Sequence, residues 1–178
     1  MSSINTTHII PLSKTKITFL ILGAIFLVAA GVWLFMNADQ FPEKNPNFTR
    51  LVGMAGVIFF GACAAYGILK LFDSVPGLIV DSKGIFDNSS GISAGLIPWS
   101  DIAGFTVGSI RGQSFLSIDV RNPDKYIQRA SGLKRLLVSL NARYFGSPIH
   151  ISSNSLKIPF DQLLRIVGEA HAKYGGPN

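Results

Sequence analysis

Two apolar runs without a single Asp, Glu, Lys, Arg or His, Thr18 to Met36 and Leu51 to Leu69, dominate the first part of this chain. A helix of about 19 residues rises roughly 28 Å, close to the thickness of a bilayer's hydrocarbon core. Both runs are therefore expected to be transmembrane helices. The first run is longer than the roughly 7–15-residue apolar stretch of a signal peptide, and Met36-Asn37-Ala38 is a poor cleavage site, so it reads as an uncleaved anchor.

The expected organisation is an N-terminal tail over residues 1–16, transmembrane helix 1 over 17–36, a loop over 37–50, transmembrane helix 2 over 51–70 and an α+β domain over 71–178. Lys14 and Lys16 precede the first run, Lys70 closes the second, and the charges of the loop cancel. From Leu71 onward eleven Lys or Arg stand against eight Asp or Glu. Because cytoplasmic flanks carry the Lys/Arg excess, both termini are expected in the cytoplasm and the loop outside. Small residues of the second run at four-residue spacing, Gly61 with Ala65 and Cys63 with Gly67, are candidates for a close helix–helix contact. Cys63 is the one cysteine of the 178 residues. An intrachain disulfide is excluded.

After Lys70 the period shortens. Gly77 to Val80 reads as a strand, Asp81-Ser82-Lys83-Gly84 as a turn and Ile85-Phe86 as the returning strand. Further strands are expected from Leu96 to Trp99, through Ile102 to Val107, and over Ser114 to Arg121, where Leu116, Ile118 and Val120 alternate with polar residues. Ile149 and Ile151 repeat the alternation, and so do Leu156, Ile158 and Phe160. Asn122-Pro123-Asp124 is a helix start, with a capping Asn, Pro at the first position and an acid in the first turn. The helix is expected to run to Phe145, with Tyr126, Ala130, Leu133, Leu137, Leu140 and Tyr144 in one stripe and Gly146 as its stop. A last helix spans about Phe160 to Tyr174, with His171 on its apolar face. The fold class expected is α+β: an N-terminal transmembrane hairpin, then a small antiparallel β domain with an inserted helix and a C-terminal helix.

Pro76-Gly77-Leu78-Ile79-Val80-Asp81-Ser82-Lys83-Gly84-Ile85, followed by Gly95-Leu96-Ile97-Pro98-Trp99-Ser100-Asp101-Ile102, resembles small two-span bacterial inner-membrane proteins with an uncharacterised C-terminal domain. Asn122-Pro123-Asp124-Lys125-Tyr126-Ile127 and Gly146-Ser147-Pro148-Ile149 resemble them too, so the likeness covers most of the chain. It implies a cytoplasmic domain similar to bacterial pleckstrin-homology-like (PH-like) modules, in a multi-pass protein of the bacterial inner membrane. It implies no reaction, and fold-level likeness alone cannot supply one.

Candidate chemistry is sparse. Trp99 reads as the seal of a small core with its indole N–H bonded locally, and Asp101 as the residue that pins the turn after it. His8, His150 and His171 lack the paired spacing of a zinc site. Gly91 to Gly95 lacks the Lys and Ser/Thr of a phosphate loop. No cofactor and no catalytic residue is expected, and the domain's modest positive charge without aromatic interleaving argues against nucleic acid.

The best functional candidates surround the inserted helix: Lys125, Arg129, Lys134, Arg135 and Arg143. A basic amphipathic helix tethered beside a bilayer can lie on anionic headgroups. The ordinary alternative packs Leu133, Leu137 and Leu140 into the domain and leaves a solvated basic rim. The chain is thus expected to be a membrane-tethered, non-enzymatic interaction module for a membrane-protein partner, a second copy of itself, or anionic lipid. The rival class, a small membrane enzyme or transport-complex subunit, calls for ionisable residues inside the spans, where this chain has none.

Overall fold

A computed structural model describes residues 6–41, 45–110 and 112–175. The chain divides into two compact units, Lys14–Ser74 and a second made of Met1–Ser13 with Val75–Asn178.

The first unit is a helical hairpin. Helix α1 (Lys14–Met36) and helix α2 (Pro46–Leu71) are long and apolar enough to cross a membrane, with mean hydropathies of 2.6 and 2.0 over their most apolar windows. Only 11% of each window is buried within the protein. Large side chains such as Phe19, Phe26, Ile58 and Leu69 point outward, so neither helix is buried as a core helix within this chain. Asn45 caps α2 by accepting from the Asn47 amide at 3.0 Å, and Pro46 sits at its first position. Arg50, in the first turns of α2, pairs with Asp39 of the loop at 2.6 Å, while Pro42, Glu43 and Lys44 lie outside the described residues.

The helices meet where backbones can approach. A Cβ on Gly53 would lie 2.7 Å from the Gly31 carbonyl oxygen and 2.9 Å from the Phe35 amide nitrogen, and one on Gly67 would strike Ile21. Gly61 faces open space, and Cys63 is exposed. The contact therefore runs through Gly31, Gly53 and Gly67. The expected Gly61–Ala65 spacing marks an outward face instead.

The second unit is α+β. A four-stranded antiparallel sheet has the order β1 (His8–Ile10), β2 (Leu78–Asp81), β3 (Gly84–Asp87), β4 (Gly95–Pro98). A three-stranded antiparallel sheet has the order β5 (Ile102–Ile110), β6 (Gln113–Val120), β7 (Ile149–Ser152). Between β6 and β7 come helices α3 (Pro123–Arg129) and α4 (Gly132–Phe145), and helix α5 (Phe160–Tyr174) closes the domain. Alternating residues of both sheets, among them Ile10, Val80, Ile85, Ile97, Leu116, Ile118 and Ile151, form one core with Leu163 and Val167 of α5. The β2–β3 turn demands glycine at Gly84, whose φ is 148° and whose missing Cβ would run into the Ile97 carbonyl. Asp87 is buried and satisfied, accepting from the Ser89 amide at 2.9 Å and hydroxyl at 2.6 Å and from the Ala94 amide at 3.1 Å.

Two features depart from the sequence expectations. The first is β1, in a segment read as a polar tail. His8, Ile9 and Ile10 pair with Val80, Ile79 and Leu78. The second is the stretch after β7. The alternation of Leu156, Ile158 and Phe160 forms no strand: Leu156 makes an isolated bridge to Leu12, Lys157 N–H donates to the Pro11 carbonyl at 3.0 Å, and Phe160 already starts α5. Pro159 cannot donate to a ladder, which is why that run ends there.

Candidate functional site

The inserted segment is two helices rather than one. Ala130 and Ser131 are extended and Gly132 takes φ 52°, a conformation that breaks the helix between Arg129 and Leu133. Helix α3 is tied down. The Asn122 side chain accepts from the Lys125 amide at 3.2 Å, and Tyr126 and Ala130 are buried. One oxygen of Asp101 accepts from Lys125 Nζ at 2.6 Å and from Tyr126 Oη at 2.7 Å. These two donors, Lys125 first, hold the Asp101 carboxyl below its ordinary range, whereas burial and then the Asp101 hydrogen bond push the Tyr126 phenol up. Trp99 is buried in the core, and its Nε1 donates to the Asp81 carbonyl at 2.8 Å.

Helix α4 is held differently. Its one buried residue is Val138, 4% exposed. Its last residue, Phe145, meets Phe115 and His150 edge-on, with ring centroids 6.0 and 5.5 Å apart. The leucines expected to face the core do not. Leu133 and Tyr144 are each 71% exposed, and Leu136, Leu137 and Leu140 are exposed as well. On a helical wheel these five side chains fill an arc of about 100°, and Val138 lies on the far side. The helix therefore docks through its narrow face and presents its broad apolar face outward. The inward packing of Leu133, Leu137 and Leu140 is corrected by this geometry: periodicity defines a face, while the break at Gly132 decides where it points.

The five basic candidates separate into two groups. Lys125 is engaged by Asp101, and the Arg129 guanidinium lies over the Tyr126 ring at 5.2 Å, so both belong to the anchoring of α3. Lys134 donates to the Ser93 carbonyl at 2.8 Å, yet its side chain, like those of Arg135 and Arg143, is exposed, and none of the three is paired with a carboxylate among the described residues. On the wheel Lys134 and Arg143 border the apolar stripe on opposite sides. In the sequence His150 stands only as one of three isolated histidines. Its Nδ1 shares a hydrogen bond with the Ser117 hydroxyl at 2.7 Å, its Nε2 is buried without a partner among the described residues, and burial lowers its basicity. Only the alternation around Ile149 and Ile151 hinted at its place opposite the core face.

One open depression of about 430 Å³ is lined by Ile110, Gln113, Ser114, Phe115, Ser152 and Asn154, none of them ionisable. Among the described residues no three His, Cys, Asp or Glu come together as a metal site. No protein-family model, no curated protein and no solved structure matches the chain.

Proposed function

We propose that this chain is a membrane-anchored interaction module, whose helical hairpin spans a bilayer and whose α+β domain engages its target at the bilayer surface through α4. The observation that carries the reading is the outward apolar face of α4. Monomeric domains rarely expose contiguous apolar stripes without a binding role. The β1–β2 pairing supports the topology. Strand β1 precedes both apolar helices and β2 follows both, so their pairing requires the two flanks on one side, as two crossings deliver. Lys14, Lys16 and Lys70 favour the cytoplasmic side of a bacterial inner membrane. Two antiparallel sheets closed by a C-terminal helix support reading the domain as a PH-like binding module rather than an enzyme.

Photo-cross-linking of the full-length protein in native membranes tests the reading. A photoreactive residue at Leu137 is expected to capture protein or lipid, while one at Glu169, on the exposed side of α5, captures neither above background. Equal, background capture from both positions would remove α4 as the working face.

A further inference from the structure

We infer that α4 is an in-plane interfacial helix whose leucine stripe enters the headgroup–acyl boundary of an anionic bilayer, with Lys134 and Arg143 binding lipid phosphates along its two edges. This inference rests on the reading of α4 as the working face and names its occupant.

Three observations select lipid. The first is arrangement. Leu133, Leu136, Leu137 and Leu140 face away from the domain, and Tyr144 stands at the end of the same stripe. Basic side chains flank the stripe, and Gly132–Phe145 contains no acid. A helix lying in a membrane interface needs apolar side chains below, cationic side chains long enough to reach up to phosphates, and an aromatic with a polar tip at headgroup level.

The second is area. The five apolar side chains of the stripe together expose on the order of 500 Å², against roughly 800 Å² per partner in a stable protein interface. The stripe by itself falls short of what a second copy or a folded partner buries. A bilayer requires no matching shape and takes such a stripe as it stands.

The third is tethering. Three residues join β1 to α1 and six join α2 to β2, a reach of no more than about 10 and 20 Å. With α1 and α2 in the membrane, the domain's effective concentration at the bilayer surface is high, so a short stripe suffices.

The test uses the full-length protein with Cys63→Ser, reconstituted in vesicles of phosphatidylcholine alone or of three parts phosphatidylcholine to one part phosphatidylglycerol. An environment-sensitive fluorophore is attached at Leu137→Cys, or at Glu169→Cys as the reference. In the anionic vesicles the Leu137 probe is expected to be quenched by nitroxide-labelled lipid and shielded from aqueous iodide, while the Glu169 probe behaves oppositely. Lys134→Gln and Arg143→Gln are each expected to weaken the lipid-inserted population about five-fold, and high salt to weaken it further. Unchanged Trp99 emission, read in a Trp33→Phe background, verifies that the variants are folded. A Leu137 probe open to iodide in both vesicles overturns the inference. A probe that is shielded in native membranes yet untouched by lipid quenchers overturns lipid as the occupant and leaves the interaction face standing. Background cross-linking from Leu137 would remove both.

Discussion

His8 stands opposite Val80 in an antiparallel pair, although both apolar helices lie between them in the chain. The domain is therefore not a C-terminal module hung on an anchor. Its edge strand comes from the other end of the hairpin, and Ile10 of that strand, 3% exposed, belongs to the core. Ile10→Ala is expected to destabilise the domain by about 2–5 kcal/mol, and Ile9→Ala, at an exposed position of the same strand, by less than about 0.5 kcal/mol. Urea unfolding of the full-length protein in detergent, followed by Trp99 emission in a Trp33→Phe background, measures both. Equal effects would mean that β1 is not part of the folded core.

The Asp101 cluster makes a graded prediction. Lys125 is partly solvated, so its ion pair contributes less than about 1 kcal/mol, whereas the buried Tyr126 hydroxyl needs an acceptor. Asp101→Ala is expected to cost about 1–3 kcal/mol. Asp101→Asn, which keeps an acceptor, and Lys125→Met should each cost less than about 1 kcal/mol. The pH dependence has a definite sign. Asp101 is more acidic folded than its ordinary value of 3.8, so its contribution is complete above that value and is lost as pH falls through the depressed folded one. Acid unfolding curves of wild type and Asp101→Asn should converge at the acid end; parallel curves would remove Asp101 as the titrating group.

The glycines of the hairpin separate by what a side chain would meet. At Gly53 the obstacles are backbone atoms of α1, which cannot rotate away, and at Gly56 there are none. Gly53→Ala is expected to destabilise the α1–α2 contact by about 1–3 kcal/mol. Gly56→Ala should be neutral or stabilising by up to about 1 kcal/mol, the ordinary helix preference for Ala. Unfolding in sodium dodecyl sulfate, followed by Trp33 emission, reads the difference. Indistinguishable variants would place the contact elsewhere.

Much of this architecture is legible in the residues. The two helices of the hairpin are visible because charge is absent, and β2, β3 and β6 because Leu78–Val80, Ile85 and Leu116–Ile118 carry the two-residue period of a sheet with one buried face. Strand β1 is not, because three residues carry too little periodicity and their partner lies beyond both helices. The site is legible in composition only. Tyr126, Ala130 and Leu133 share a helical period, so α3 and α4 read as one helix, and Gly132 alone marks the break. Whether a stripe faces a core or the outside is decided by tertiary packing, here by Val138 and Phe145 docking on the opposite side.

That docking makes α4 sensitive to His150. The ring sits between Phe115 and Phe145, with centroids 5.3 and 5.5 Å away, so the end of α4 rests on an imidazole held neutral. Burial is the leading cause of its lowered basicity, opposed by the Ser147 backbone and by Asp119. The folded state binds this proton less readily than the unfolded chain, whose value is near 6.5, so stability rises with pH across the window below that value. His150 contributes fully above about pH 6.5, and its contribution is lost as pH falls toward the folded value. Acidification from about pH 7.5 to about 5.5 is therefore expected to lower the urea midpoint and to lower the amide protection factors, taken relative to intrinsic exchange at each pH, at the C-terminal turn of α4 ahead of α3, which the Asp101 cluster holds through that range. His150→Gln, a neutral side chain that still offers Ser117 a partner, should flatten the dependence. Equal acid sensitivity in His150→Gln and wild type would assign the loss to another group and leave α4 anchored by packing alone.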